Sequence, residues 1–322
     1  MELARRLAQR PVLLVLAGGC VFLVVGSLDS SIFAQQTVAG LAQGAIFGSL
    51  ALALVLIYRA TEVINFAQGE MAMATTYVAF QLTKWGLSYW AAFAITLVVA
   101  FVFGTVVQLV FIRPVQQKSV IAVVIVTIGL FILIDGLVTW RFSAQLQFMP
   151  APFGNSVYHL GSVAVSRQAL GTLLVSVLSV ILLGVLFRFT KLGLSMRAAA
   201  LRPAAARLVG IRVDWMLAIG WGLAAVLGAV AGLMTEPTQF LQPTMMQSIL
   251  LYAFAAAVLG GLESPVGAVV GGLALGVFLN LIGQYVGFVG AALQLPLAFA
   301  VLLAVLLVKP NGLFGRALVR RV

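Results

Sequence analysis

The residues of this chain that could do chemistry are few, and the densest group lies in one stretch, RATEVINFAQGEMAMATTY, from 59 to 77. Asn65, Gln68 and Glu70 fall there, in or near the start of an apolar segment. A carboxylate within a membrane costs about 2.5–3.5 kcal/mol on insertion scales, so such a group faces protein or water rather than lipid. Two amides and a carboxyl are suited to lining or gating a polar passage between helices.

The spacing of these three side chains predicts an interruption of the helix. At about 100° per residue, Gln68 and Glu70 point about 200° apart, and Asn65 lies about 60° from Gln68. A regular helix would carry polar groups on nearly opposite sides, so either protein or water surrounds it or it breaks near Gly69. The sequence therefore predicts Asn65, Gln68, Gly69 and Glu70 as residues of a translocation path or gate. A structural polar contact between helices near the cytoplasmic boundary is the alternative.

Other reactive side chains are too scattered to form a catalytic or metal site. The single histidine, His159, lies in a polar loop, and the single cysteine, Cys20, lies in an apolar run. Asp135 stands near the outer end of an apolar segment, where it could pair with Arg141 in a structural contact. The chain contains no GxxxxGK[ST] phosphate loop, so any ATP must be bound by another polypeptide. We therefore expect a non-catalytic chain without a metal or cofactor.

Composition identifies the class of protein. The 322 residues are 63% hydrophobic and 8% charged, whereas soluble domains carry about 25% charged residues. The mean hydropathy is +1.16. The net charge of +11 is distributed over short loops rather than one patch, which argues against nucleic-acid binding. The sequence predicts an all-α, polytopic membrane bundle that forms a single domain over residues 1–322.

Ten apolar segments predict eight to ten membrane spans, because about 20 helical residues cross the hydrocarbon core. The lower number allows 64–83 and 246–286 to be re-entrant. Arg5, Arg6 and Arg10 precede the first segment, which we interpret as an uncleaved span rather than a signal. The segments lie at about 11–28, 37–58, 64–83, 88–112, 119–140, 168–188, 214–235, 246–262, 265–286 and 291–308.

The distribution of basic residues predicts the orientation. With the N-terminus inside, the inner segments hold 16 of the 19 lysines and arginines, and the outer ones hold only Lys84, Arg141 and Arg167. This split predicts that both termini are cytoplasmic. It also assigns a cytoplasmic loop at about 188–214 and an outer loop at about 142–167.

The cytoplasmic loop 188–214 contains a predicted short helix. Pro203 suits the first helical position and Gly210 suits the cap after the end, so the helix should cover about 203–209. Ala204 and Leu208 would share one face, which could enter a groove of another protein. The alternative is a solvated loop whose positive charge only sets the topology.

Glycines at four-residue spacing predict close contacts between helices, since small residues let backbones approach in lipid. The run Gly40, Gly44 and Gly48 is the longest of these. Segments 45–56 and 268–279 also match at six of twelve positions, a hint of an internal repeat. The candidate packing or hinge residues are Gly44, Gly48, Gly260, Gly261 and Gly271.

Four stretches carry a family resemblance. They read INFAQGEM from Ile64, RAAALRPAAARLVGIRVD from Arg197, AAVLGGLESPVGAVVGGLALG from Ala256 and KPNGLFGR from Lys309. In this order they resemble the H-type permease subunit of branched-chain amino acid ABC importers. The resemblance implies a multi-pass subunit of the bacterial inner membrane that imports branched-chain or related hydrophobic amino acids by alternating access.

The resemblance also implies partners. These are a second, M-type permease, two ATP-binding cassette subunits that hydrolyse ATP and a periplasmic substrate-binding protein, with no cofactor in this chain. The outer loop would then be periplasmic. An importer of urea or short amides and an ion-coupled secondary carrier are the alternatives. The residues that would couple the chain to the ATPase are Arg197, Pro203, Ala204, Ala205, Arg207, Leu208 and Gly210.

Overall fold

The structure, a computed structural model, describes residues 30–116, 118–154, 156–161, 163–287 and 290–315. The predicted first span, 11–28, with Cys20 lies outside the described residues, as do the basic residues near both ends of the chain. The described part is a helical bundle with one small hairpin, so the predicted helical membrane architecture is confirmed.

The helices follow each other with short connections. In chain order they are α1 (Ser30–Thr61), α2 (Gln68–Lys84), α3 (Tyr89–Val107), α4 (Val120–Phe142), α5 (Arg167–Phe189), α6 (Lys191–Leu201), α7 (Pro203–Leu208), α8 (Val213–Gln239), α9 (Met245–Gly260), α10 (Pro265–Tyr285) and α11 (Ala291–Val308). A π-helical turn, Gln108–Ile112, extends α3. Between α4 and α5, strands β1 (Val157–Leu160) and β2 (Val163–Ser166) pair antiparallel, with Val157 opposite Ser166.

The predicted apolar segments coincide with helices. Nine of the ten lie within the described residues, and each corresponds to one of α1–α5 or α8–α11. Six described helices are long and apolar enough to span a membrane, while α9 and α11 are shorter apolar helices. The sequence did not predict α6, which occupies the first half of the basic loop, or the hairpin in the outer loop.

Helix α1 packs along α10 through the predicted glycine seam. The two helices are antiparallel: Gly40 faces Val277, Gly44 faces Gly272, and Gly48 faces Val269. A Cβ atom added at Gly44 would lie 2.7 Å from the carbonyl oxygen of Gly272. Only glycine permits this approach of two backbones. The segments of the sequence repeat, 45–56 and 268–279, therefore lie side by side in opposite directions.

The turn between α9 and α10 uses the other candidate glycines. Gly261 ends α9 with φ of +103°, a conformation that favours glycine. Gly260 and Gly271 stand where a Cβ would overlap the backbones of Gly267 and Ala256. The N–H groups of Leu313 and Phe314 donate to the carbonyls of Leu259 and Gly260 (2.8 and 3.1 Å). The KPNGLFG stretch thus satisfies carbonyls that the end of α9 leaves free.

Candidate functional site

The helix is interrupted at the start of the third apolar segment, 64–83, and not within it at Gly69, which lies in the first turn of α2. α1 ends at Thr61 and α2 begins only at Gln68, one residue before Gly69. The connecting residues, 62–67, include Glu62 with φ of +57°. A Cβ at Gly69 would lie 3.2 Å from Cβ of Leu250 in α9, so α2 starts in close contact with protein.

Hydrogen bonds of two buried amides hold this interruption. The Asn65 Oδ1 atom accepts from the N–H of Ala67 (3.1 Å), and its Nδ2 donates to Gln68 Oε1 (3.1 Å). Gln68 Nε2 donates to the carbonyl of Ala224 in α8 (3.0 Å). Both side chains are fully buried. Because the amides satisfy each other and the backbone, the connection has a fixed shape.

These polar groups lie midway along the bundle. Gln68 packs between Ala224 and Gly228, and the midpoint of α8 (213–239) is residue 226. Ala224 follows Asp214 by ten residues, which corresponds to about 15 Å along the helix. The structural alternative had placed this contact near one boundary, whereas here it lies against the middle of α8. The sequence does not reveal which level of α8 the start of α2 meets.

Glu70 is the buried carboxylate of this region. It is 1% exposed, and its Oε2 atom has no hydrogen-bond partner within the described residues. Asp135 in α4 and Gln247 in α9 are its polar neighbours. Oδ1 of Asp135 is likewise buried without a donor, and the ion pairs of the described part do not include Asp135 with Arg141. The expected pairing is wrong: the Arg141 guanidinium lies 5.1 Å from the centre of the Phe142 ring.

The basic loop folds into two short helices at one end of the bundle, which we call the α7 end. Thr190 Oγ1 caps α6 by accepting from the N–H of Gly193 (3.0 Å). Pro203 is the first residue of α7, as predicted, and Gly210 follows with φ of +82°. α7 ends at Leu208, close to the predicted end.

The exposure of α7 distinguishes its faces. Ala206 is buried and packs with Ala199, Val213 and Leu217. Ala204 and Ala205 are exposed, and Leu208 is 89% exposed. The sequence left open which alanine points outwards, and the packing of Ala206 against α6 and α8 decides it. The outward surface consists of Ala204, Ala205, Leu208 and Val209.

Asp214 anchors α7 to the rest of the chain. Its Oδ2 accepts from Arg113 Nη2 at 2.7 Å, and its Oδ1 lies 3.8 Å from Arg207 Nη2. Each exposed pair contributes about 0–1 kcal/mol, so they orient α7 more than they stabilise the fold. Sequence reasoning missed Arg113, because it follows α3 and reaches Asp214 only in three dimensions.

Arg197 does not lie on the outward surface of α7. It is partly buried in α6, where its Nε donates to the carbonyl of Gly193 (3.4 Å). Its side chain lines a cavity at the α7 end together with Arg59. The predicted coupling residues are thus divided between the surface of α7 and this cavity.

A polar cavity of about 330 Å³ lies at the opposite end, near the hairpin. Gln43, Gln168 and Asn280 contribute amides, and Asn280 Nδ2 donates to Gln43 Oε1 at 2.6 Å. Ile46 and Met234 add an apolar side. The sequence did not predict this cavity, since its lining comes from five helices that are distant along the chain, together with Ser166 at the end of the hairpin.

Comparison with known proteins identifies the family. The family model described as branched-chain amino acid transport system / permease component matches residues 36–308, which include α7 and the interrupted segment. The chain belongs to this family. It is therefore a permease component of a transport system, and its long apolar helices make it a membrane protein.

Relatives of this permease align with it over most of the length of both chains. It is 30% identical over 306 residues to the high-affinity branched-chain amino acid transport system permease protein LivH of Salmonella typhimurium, covering 90% of this chain and 98% of that protein. It is 31% identical over 304 residues to BraD of Pseudomonas aeruginosa, a permease protein of the same description, with 90% and 98% covered. A probable LivH of Methanocaldococcus jannaschii is 30% identical over 289 residues, with 83% and 87% covered. No solved structure matches the chain.

Proposed function

We propose that this chain is the transmembrane permease subunit of an ATP-binding cassette importer. It moves branched-chain or related hydrophobic amino acids into the cytoplasm by alternating access. The observation that carries the proposal is the family match over residues 36–308, together with relatives named as branched-chain amino acid permeases. The membrane is then the bacterial inner membrane, with both termini and α7 in the cytoplasm.

The ATPase contact is assigned to the outward surface of α7. Leu208 and Val209 are exposed apolar residues next to the basic side chains Arg202 and Arg207. Apolar side chains that stay exposed beside charged ones are typical of protein contact sites. The proline at the start, the glycine after the end and the Asp214 pairs hold α7 in one orientation, so movement of an ATPase is transmitted to α8.

The remaining partners follow from the family assignment. A second, M-type permease would complete the passage, two ATPase subunits would hydrolyse ATP, and a periplasmic binding protein would deliver the amino acid at the hairpin end. This chain would take no part in ATP hydrolysis.

The polar groups around Glu70 are the candidate gate. A buried carboxyl with an oxygen lacking a donor is costly, and such groups within a membrane mark passages or moving contacts. Glu70 lies where three helices meet, since it belongs to α2 and its polar neighbours Asp135 and Gln247 belong to α4 and α9. Rearrangement of these helices between inward-open and outward-open states would change the surroundings of the carboxyl.

One observation favours a second candidate, an ion-coupled carrier. Such a carrier needs a carboxylate midway across the membrane, and Glu70 follows by two residues Gln68, which packs against the middle of α8. The carrier predicts uptake by this chain alone, driven by a proton or sodium gradient. The importer predicts that the chain alone is inactive.

Purification and reconstitution separate the two candidates. The tagged chain is isolated from its native membrane, and co-purifying proteins are identified. Liposomes containing the isolated complex, the binding protein and ATP are then tested for uptake of labelled leucine. The importer requires an ATPase in the complex, uptake that depends on ATP hydrolysis, and competition by isoleucine or valine. If urea or acetamide competes and isoleucine and valine do not, the chain belongs to an importer of urea or short amides. Uptake driven by an ion gradient without an ATPase would refute the importer.

A further inference from the structure

A cavity of about 280 Å³ at the α7 end is not used by the proposed transport cycle. Helices α1, α5, α6, α8 and α10 enclose it. Its wall is mostly apolar, and the lining includes Leu52, Leu56, Leu183, Phe187, Met216 and Val269. An apolar cavity of this kind binds the hydrocarbon part of a ligand.

Two guanidinium groups lie at the same cavity. Arg59, close to the end of α1, and Arg197 in α6 both line it, and they repel each other. Neither forms an ion pair within the described residues. Glu263, in the turn before α10, is the acidic side chain that attracts Arg59 electrostatically, but it does not line the cavity. Two cations beside an apolar wall are complementary to an amphiphile with an anionic head.

The position of the cavity indicates where such an amphiphile comes from. Its wall continues from Arg59 up to Leu52, which is seven residues or about 10 Å along α1. On α5, Leu182, next to the lining residue Leu183, is 61% exposed, and on α10 the lining residue Val266 is itself 69% exposed, as for helices that face lipid. A lipid chain can therefore pass from the bilayer into the cavity without crossing a polar surface.

We propose that the cavity binds an anionic phospholipid, whose head group lies between Arg59 and Arg197. One acyl chain packs against Leu183 and Val269, between α5 and α10. The bound lipid joins α6 to α1, and α6 leads directly into α7. Inner-leaflet lipids with anionic heads are attracted to basic side chains at the membrane surface, and two arginines with an apolar cleft select them over neutral lipids.

The test measures lipid retention by the full chain purified in detergent. Dioleoylphosphatidylglycerol and dioleoylphosphatidylcholine are added separately, and native mass spectrometry quantifies the bound lipid. We expect preferential retention of phosphatidylglycerol by the wild type. Arg59→Gln and Arg197→Gln should each reduce that preference about fivefold, and the double variant about 30-fold, because one basic residue near anionic lipid contributes about 1 kcal/mol. Arg202→Gln, an exposed arginine outside the cavity, should retain the wild-type preference.

The conservative variants keep the test decisive if glutamine impairs folding. Arg59→Lys with Arg197→Lys preserves both charges and should retain most of the preference for phosphatidylglycerol. Inorganic phosphate should not displace the lipid, since the acyl chain contributes to binding. Equal retention of both lipids, or an unchanged preference in the double glutamine variant, overturns the proposal. The proposal is also overturned if cross-linking in lipid-containing membranes shows that the segment 11–28 or the ATPase occupies the cavity. These results leave the transport assignment unaffected, because it does not depend on the cavity.

Discussion

The carboxyl groups of Glu70 in α2 and Asp135 in α4 interact electrostatically within the bundle. Each has one buried oxygen without a hydrogen-bond donor in the described part of the chain. Two neighbouring carboxyls repel when both are ionised, and burial strengthens the repulsion. The contact between α2 and α4 is therefore sensitive to any change in the position or hydration of these groups. This sensitivity suits a gate better than a permanent structural contact.

The first prediction concerns the Glu70 side chain. Glu70→Leu should impair leucine uptake more than Glu70→Gln, because the amide keeps hydrogen bonding with its surroundings while leucine removes it. Uptake by the reconstituted complex is measured, with Met73→Leu, a fully buried position one turn further along α2, as a packing control. Wild-type uptake in both Glu70 variants would assign the carboxyl to a purely structural contact.

The second prediction concerns the buried amides. Gln68→Ala removes the donor to Ala224 and the Oε1 acceptor of Asn65 Nδ2, whose other partner is only the weak acceptor Met71 Sδ at 3.6 Å. An unsatisfied buried polar group costs about 1–3 kcal/mol, so the melting temperature in detergent should fall by several degrees. Gln81→Ala, near the other end of α2 where the side chain is half-buried, should leave it nearly unchanged. An equal effect of the two substitutions would show that the hydrogen bonds do not hold the interruption.

The third prediction concerns the glycine seam. Gly44→Ala places a Cβ 2.7 Å from the Gly272 carbonyl oxygen, so α1 and α10 must separate. Overpacking of this kind costs about 1–3 kcal/mol. At Gly129 in α4 an added Cβ meets nothing within 4 Å, and Gly129→Ala should be neutral or stabilising, because alanine favours helix. Thermal unfolding of the two variants is compared, and a destabilised Gly129→Ala with an unaffected Gly44→Ala would contradict the packing.

The fourth prediction concerns orientation. In a Cys20→Ser background, a cysteine replacing Ser156, the exposed residue directly before β1, should react with an impermeant thiol reagent added outside the cell. A cysteine replacing Arg202, which is exposed before α7, should react only after the membrane is permeabilised. The reverse pattern would place α7 outside and exclude contact with a cytoplasmic ATPase.

Much of the fold follows from local signals in the sequence. The apolar segments are found as helices because length and hydropathy determine which parts of the chain can cross a membrane. The helix at 203–208 follows from Pro203 and Gly210, whose preferences act within a few residues. The glycine spacing likewise predicts a close contact, although not the partner helix α10.

The remaining features depend on how distant segments meet. The depth of Gln68 is set by its contact with Ala224, more than 150 residues later in the chain. The burial of Ala206 depends on the angle at which α6 returns to α8. Arg197 resembles the other arginines of the basic loop in sequence, yet it lines a cavity that also needs α1, α5 and α10. Such long-range contacts produce no periodicity or residue spacing in the sequence from which they could be predicted.

The contact of α7 with an ATPase is the central claim. Leu208→Asp would bury an unpaired charge in that contact, which typically costs several kcal/mol, so ATPase binding and uptake should be lost. Leu208→Met keeps an apolar side chain and should bind and transport normally. Leu194→Asp, which adds the same charge at an exposed position of α6, controls for charge alone.

Cysteine cross-linking at three neighbouring positions tests this claim most directly. In membranes that contain the whole complex, cysteines are placed in turn at Ala204, Ala205 and Ala206, and cross-links to the ATPase are quantified with and without ATP. The account predicts cross-links from the exposed positions 204 and 205, with yields that change when ATP is added, and none from the buried position 206. Absence of cross-links at all three positions, together with normal transport by Leu208→Asp, would contradict it.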